Sequence, residues 1–155
     1  MNKIIQEIVK EPNGLLHQKC EPVTDFEEAK KIADGLVIVM KSVSRRWNRW
    51  LGFAANQIGY NKRIIGLRNG KDRYSIFINP TFIEKRFPFP CLEKCYSLPS
   101  LKEVYLVKRY LWAKVKYQDL NGTSHKIIFR GPSAIYQEID HIDGIMVSEI
   151  GFRIF

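Results

Sequence analysis

The segment YQEIDHIDG, residues 136–144, constrains the fold of this chain more than any other stretch. Gln137 and His141 are four positions apart and therefore lie one turn apart on one face of a helix, with Glu138 beside them. An adjacent apolar stripe is formed by Ile135, Ile139 and Ile142. Because unpaired polar groups are costly to bury, this helix must receive polar partners from the rest of the domain. Taken alone, so short a pattern favours a hydrogen-bonded core network or a partly exposed helix end.

A second helix is predicted near the N-terminus. Thr24 and Glu27 fit a capping box at its start, and apolar residues then recur at helical spacing from Phe26 to Val43. The pattern therefore indicates one long amphipathic helix that ends near the sequence RRWNRW.

Between these helices the chain has the alternation of β-strands. KRIIGLR and YSIFINP predict two strands joined by an N-G-K-D turn, and EVYLVKRYLWAKVKYQ predicts two more. Asn121-Gly122 marks a hairpin turn into HKIIFRG, while Pro132 and Gly144 mark the start and end of the last helix. The order of elements predicts a single α+β domain over residues 1–155, with mixed antiparallel β-sheets packed around a buried C-terminal motif helix.

Composition excludes several classes of protein. With 155 residues, 45% of them hydrophobic and 26% charged, the chain is expected to form one globular domain rather than a disordered segment. It has no apolar run long enough for a membrane span, and its N-terminus mixes charges among aliphatic residues, unlike a signal peptide. Three cysteines do not make a disulfide framework, so a reducing compartment, the cytoplasm, is expected.

The formal net charge of +9 leaves two interpretations open. It favours contact with a polyanion such as RNA, and the arginines and tryptophans of residues 45–50 could stack on bases. The simpler interpretation is a solvated basic surface, with a basic helix end that complements the helix dipole.

Two further stretches carry residues suited to catalysis. In LGFAANQIGYNKR, residues 51–63, small residues allow close approach of a ligand and the Gln57 amide can donate to an oxyanion. In EKCYSLP, residues 93–99, Cys95 can supply a thiolate ligand for zinc or ferrous iron. Each stretch alone is weak evidence for a catalytic site. The occurrence of all three segments in this order along the chain is much more specific evidence.

In that order the segments WLGFAANQ, EKCYS and YQEIDH resemble the three motifs of peptide deformylases, G-x-G-x-A-A-x-Q, E-G-C-x-S and Q-H-E-x-D-H. The similarity covers nearly the whole chain, with IGYNKR, INP, VKR and DLNG at corresponding positions. It implies a deformylase-like α+β fold and removal of the formyl group from the N-formyl-methionine of nascent peptides. It also implies one divalent metal ion, Fe²⁺ or Zn²⁺, with Ni²⁺ or Co²⁺ as substitutes.

The resemblance implies roles for individual residues. The metal ligands would be Cys95, His141 and Gln137. Glu138 would be the catalytic acid and base, while the Gln57 amide and the backbone N–H of Tyr96 would stabilise the tetrahedral intermediate. Residues implied to bind substrate are Leu51, Gly52, Lys94 and Arg109.

The chain departs from the family pattern at the metal site. Gln137 replaces a histidine, and its neutral carbonyl oxygen is a poorer donor for zinc or iron than imidazole. Cys91 could replace that ligand only through a turn, for which Pro88 and Pro90 give some scope. His17 and His125 fit surface positions better.

Other departures are Trp50 and Lys94 in place of glycines, Asn56 in place of a proline and Tyr136 in place of a glutamine. Bulk at Trp50 and Lys94 could narrow the substrate channel.

Two alternative functions therefore remain. One is a catalytically inactive deformylase-fold protein that binds N-terminal peptides, and the other is an RNA-associated domain that retains only the scaffold. The first hypothesis is a metal-dependent deformylase, with activity weakened where Gln137 replaces a histidine ligand. We expect a monomer that has no membrane association and no sequence-specific nucleic-acid binding, and that meets nascent peptides in transient proximity to the ribosome. The chain ends soon after the motif helix, at GFRIF, which disfavours docking to the ribosome through a C-terminal helix.

Overall fold

The computed structural model describes residues 7–46, 48 and 50–155. Its helices are α1 (Phe26–Val43), α2 (Ile135–Ile142) and α3 (Val147–Ile150), and short 3-10 turns occupy Gly14–His17 and Ala55–Ile58. Its strands are β1 (Gly52–Ala54), β2 (Ile64–Arg68), β3 (Tyr74–Glu93), β4 (Tyr105–Gln118), β5 (Ser124–Arg130) and β6 (Phe152–Arg153). The described strands pair antiparallel in the order β1-β2-β3-β4-β5, with β6 also beside β4. The predicted α+β class is confirmed.

The start of α1 differs from the prediction. The helix begins at Phe26, so Asp25 rather than Thr24 is the N-cap residue. The Asp25 carboxylate accepts hydrogen bonds from the backbone N–H groups of Glu27 at 3.0 Å and Glu28 at 3.2 Å. Since these are amides that the helix leaves unpaired, Asp25 performs the capping that the sequence assigned to Thr24 and Glu27.

The predicted hairpins, β2 with β3 and β4 with β5, are both confirmed. The prediction of two strands over residues 103–118 is wrong. Residues 105–118 form the single strand β4, in which Tyr105, Val107, Ala113 and Val115 are buried in alternation with more exposed neighbours. No glycine, proline or asparagine interrupts this alternation, so nothing in the local sequence ends the strand.

The backbone before Pro88 is irregular, since Phe87 has a φ of +62°, but no turn forms around Pro88 and Pro90. Both prolines lie within β3, opposite Tyr110 and Lys108 of β4. They are tolerated because β2 pairs only with residues 74–78 of β3, which leaves the other side of this stretch without a strand partner among the described residues. Cys91 therefore stays within β3, paired with Val107 of β4, and Cys95 lies beyond the strand end.

Helix α2 is buried among these strands, as predicted. Ile135, Ile139 and Ile142 pack in a core with residues of β2, β3 and β4. The helix begins at Ile135, with Ala134 as its N-cap, and not at the predicted Pro132. It ends near Gly144 as predicted, where φ is +76° and a Cβ would lie 2.7 Å from the backbone of Gln18. No helix in the described part of the chain combines the length and apolarity needed to cross a membrane.

Candidate active site

Three segments bring the motif residues together: β1 with its following turn, the loop after β3, and α2. Cys95 Sγ lies 3.3 Å from His141 Nε2, and both side chains are almost fully buried. On a tetrahedral zinc ion, bonds of about 2.3 Å to sulfur and 2.05 Å to nitrogen would separate the two ligand atoms by roughly 3.6 Å. The pair is therefore placed as two ligands of one ion would be, and its donor types suit zinc or ferrous iron.

Gln137 lines the same cavity but already has a backbone partner. Its Nε2 donates to the carbonyl of Lys94 at 3.0 Å, so the carboxamide bridges α2 to the loop after β3. The remaining amide oxygen is a neutral donor that a metal ion could use. Cys95 and His141 thus fit a metal ion, and Gln137 lines the same cavity with a neutral amide.

The alternative set of Cys91, Cys95 and His141 does not form. Within the described residues, no group of three or more His, Cys, Asp and Glu side chains is arranged to hold a metal ion. Cys91 is half-buried in β3, and its Sγ lies 3.9 Å from the carbonyl oxygen of Leu92.

Burial sets the charge state of the Cys95–His141 pair. It raises the pKa of the Cys95 thiol to about 12 and lowers the pKa of the His141 imidazole to about 3, so both groups are neutral near pH 7. His141 Nδ1 is buried with no hydrogen-bond partner among the described residues. A bound dication would favour the thiolate and the neutral imidazole, which are the ligating forms.

Glu138 is buried beside the pair. Burial, with the nearby charges of Glu93 and Asp140, raises its pKa well above the ordinary value. Its Oε2 has no hydrogen-bond partner among the described residues, and a Cβ at Gly52 would lie only 2.7 Å from its Cγ. Gly52 therefore leaves the space that the Glu138 side chain occupies, and the carboxyl keeps one oxygen free for a reacting group.

Gln57 is fixed at both ends of its amide. Its Oε1 accepts from the backbone N–H of Ala54 at 2.9 Å, and its Nε2 donates to Ser97 Oγ at 3.1 Å and lies 3.7 Å from Cys95 Sγ. The backbone N–H of Ser97 also points to Cys95 Sγ, at 3.4 Å. Sequence analysis missed Ser97 as a residue that orients Gln57, although its place two residues after the motif cysteine was a usable signal.

Arg109 lies apart from the cavity. Its guanidinium donates to both carboxylate oxygens of Glu93, at 2.6 and 2.7 Å, and to Asp140 at 2.6 Å. It is not among the residues that line the cavity. In this structure Arg109 therefore joins the end of β3 to α2, with its guanidinium paired to two carboxylates.

The cavity has a volume of about 420 Å³. Of the residues implied to bind substrate, Leu51, Gly52 and Lys94 line it, together with Gln57, Tyr96 and Glu138. Trp50 lines it too and is 58% exposed. Two residues that replace family glycines, Trp50 and Lys94, therefore both line the cavity.

The remaining departures have structural roles. Asn56 Nδ2 donates to the carbonyl of His141 at 2.6 Å, which ties the first motif to α2. The Tyr136 hydroxyl donates to the carbonyl of Tyr110 at 2.7 Å. His17 contacts Glu11 and Glu149, and His125 contacts Asp119, in partly exposed pairs away from the cavity.

The chain is similar in sequence to proteins of one known family. A family model described as polypeptide deformylase matches residues 5–150. The peptide deformylase of Heliobacterium modesticaldum is 33% identical over 147 residues, covering 92% of this chain and 91% of that protein. That of Acidobacterium capsulatum is 32% identical over 153 residues, covering 92% and 84%.

A crystal structure of the peptide deformylase from Thermotoga maritima superposes with a TM-score of 0.83 at 25% identity, covering 94% of this chain and 97% of that one. The fold is thus the α+β fold of the deformylases. The chain belongs to the polypeptide deformylase family.

Proposed function

We propose that the protein is a metal-dependent hydrolase that removes the formyl group from the N-formyl-methionine of nascent peptides. The observation that carries the proposal is the 3.3 Å separation of Cys95 Sγ and His141 Nε2 in a cavity also lined by Glu138 and Gln57. A scaffold alone would need none of these four polar residues. The proposal includes action in the cytoplasm, as a monomer, on peptides leaving the ribosome.

Cys95 and His141 would hold the metal ion, with the Gln137 carbonyl oxygen as the third ligand. Fe²⁺ or Zn²⁺ suits a thiolate–imidazole set, and Ni²⁺ or Co²⁺ would be substitutes. When bound, the ion would polarise the formyl carbonyl and lower the pKa of a water molecule.

The side chains of the cavity would perform the remaining steps. Glu138 takes a proton from the attacking water and passes it to the departing amine, for which a carboxyl with a raised pKa is suited. The Gln57 amide donates to the developing oxyanion with the backbone N–H of Tyr96. Donation by Gln57 requires only that it release its long contact to Cys95, because its other N–H stays with Ser97.

A second candidate function is favoured by one substitution. Gln137 offers only a neutral amide oxygen where the family pattern has an imidazole, which weakens the case for a third metal ligand. The protein would then bind formylated or free N-terminal peptides without hydrolysing them.

Replacing Glu138 with glutamine separates these functions. We expect metal-replete protein under anaerobic conditions to release formate from formyl-Met-Ala-Ser, and Glu138→Gln to abolish release while retaining metal and fold, because an amide cannot shuttle a proton. Glu84→Gln, at a solvent-facing ion pair, is the matched control and should keep full turnover. Metal-loaded wild type that binds formyl peptides with unchanged affinity in Glu138→Gln, yet never hydrolyses them, would establish the binder instead.

A further inference from the structure

The sheet formed by β3, β4 and β5 has one face that the proposed hydrolysis does not use. Along β4, Ala113 and Val115 are buried in the core. Trp112, Lys114 and Lys116 alternate with them and are therefore directed to the opposite side. These three residues and their paired neighbours in β3 and β5 form the outer face of the sheet. None of them lines the cavity of the candidate active site.

Two lysines stand opposite each other on the outer face. Lys116 of β4 is paired with Lys126 of β5, and both side chains are exposed. Like charges directly opposite each other destabilise a pair of antiparallel strands. Within the described part of the chain, neither ammonium forms an ion pair that would offset this cost. Since a bound polyanion would neutralise both charges, the pair indicates an anionic ligand.

An aromatic ring lies between two arginines on the same face. Trp112 is paired with Arg86 of β3 and with Arg130 of β5. The guanidinium carbon of Arg86 lies 4.7 Å from the centre of the Trp112 ring. Arg86 Nε donates to Glu84 at 2.6 Å, which holds the guanidinium in place through one nitrogen. Guanidinium planes and indole rings are groups on which the bases of single-stranded nucleic acids stack.

The outer face carries an excess of positive charge and little apolar surface. Its acidic residue, Glu84, is already paired with Arg86. Besides Trp112 its large apolar residue is Ile128, which is 43% exposed. A surface that inserts into a lipid bilayer would need several large apolar side chains. The composition therefore favours a nucleic acid over a membrane. The basic residues are Arg86, Lys114, Lys116, Lys126 and Arg130.

A polar cavity of about 330 Å³ lies at one end of this face. Thr81, Lys116 and Ser124 are among the residues that line it. Within the described residues, the hydroxyls of Thr81 and Ser124 form no hydrogen bond. Hydroxyl groups beside a lysine can bond the 2′-hydroxyl of a ribose, which is the group that distinguishes RNA from DNA.

We propose that the outer face of β3, β4 and β5 binds single-stranded RNA without sequence preference. The lysines and arginines contact phosphates, a base stacks on the Arg86–Trp112 pair, and a ribose lies at the polar cavity. The proposal goes beyond the proposed function and holds whether the protein hydrolyses formyl peptides or only binds them.

Fluorescence anisotropy of a labelled oligonucleotide of about twelve uridines tests the proposal, with no peptide present. We expect binding that weakens as salt rises, because phosphate contacts release counterions. The combined substitutions Lys114→Gln, Lys116→Gln and Lys126→Gln should weaken binding at least about tenfold and reduce the slope of log K against log salt by about 2. The matched control removes three exposed lysines from α1, through Lys30→Gln, Lys31→Gln and Lys41→Gln, and should bind within about twofold of wild type.

Two single substitutions separate charge from stacking and function from stability. Arg86→Lys keeps the charge but removes the planar guanidinium, so it should weaken binding about fivefold with an unchanged salt slope. Lys126→Glu places an opposite charge beside Lys116, so it should raise the urea midpoint of unfolding while it weakens RNA binding. It also decides the question if the triple variant does not fold.

Equal losses in the two triple variants, or wild-type affinity in Lys126→Glu, would overturn the proposal. An oligonucleotide of deoxyuridines that binds as tightly as the RNA would overturn the assignment to RNA. Wild-type protein that binds phosphatidylglycerol vesicles but not the RNA would overturn the choice of ligand. Each outcome leaves the proposed function intact, because formate release is measured separately.

Discussion

At the residue scale, the decisive position is Gln137. Its place one turn before His141 directs it into the cavity, but its neutral amide donates to the Lys94 carbonyl at 3.0 Å. Imidazole would give a stronger nitrogen donor for zinc or iron at the same place on the helix.

Gln137→His should therefore raise both metal retention and deformylation of a formyl-Met peptide, each by at least about tenfold, in line with the 10- to 100-fold effects seen when a metal site is perturbed. Metal content after dialysis and formate release measure the two effects. Gln18→His, at an exposed loop position, controls for the mere addition of a histidine. Unchanged retention and turnover would show that Gln137 is not the weak ligand.

At the element scale, the N-terminus of α1 gives a clean test. The Asp25 carboxylate satisfies two backbone N–H groups, whereas Thr24 is exposed and lies one residue outside the cap. We expect Asp25→Ala to lower the free energy of unfolding by about 1 kcal/mol. Thr24→Ala should change it by less than about 0.5 kcal/mol. Urea denaturation of both variants measures the difference, and equal losses would contradict the assignment of Asp25 as the cap.

The same elements show what the sequence could and could not predict. The motif helix, the hairpin turn at Asn121-Gly122 and the α+β class followed from local periodicity and turn residues. The N-cap residue of α1 could not be predicted, because Thr24 and Asp25 are both good caps. The continuity of β4 could not be predicted either, because an uninterrupted alternation fits one long strand as well as two.

In the candidate site, motif order identified Cys95 and His141 but not the partners of Arg109. Glu93 and Asp140 lie 16 and 31 residues from Arg109 in sequence, and only the folded chain brings them together.

At the scale of the whole molecule, Arg109 of β4 joins the end of β3 to α2 through its ion pairs with Glu93 and Asp140. Removing the guanidinium would leave two poorly solvated carboxylates close to Glu138. Arg109→Met should therefore lower the free energy of unfolding by about 3–5 kcal/mol.

The matched control is Arg86→Met, which breaks an exposed pair with Glu84 and should cost less than about 1 kcal/mol. A loss at Arg109 as small as that at Arg86 would show that the network does not hold the sheet and α2 together.

The metal content of protein purified at low oxygen without chelator tests whether Cys95 and His141 hold a metal ion. We expect close to one equivalent of a divalent metal ion per chain, lost in Cys95→Ser and retained in Cys91→Ser, because Cys95 Sγ lies 3.3 Å from His141 Nε2. Wild-type protein that is folded, contains no metal and takes up none when supplied with Fe²⁺ or Zn²⁺ would contradict it.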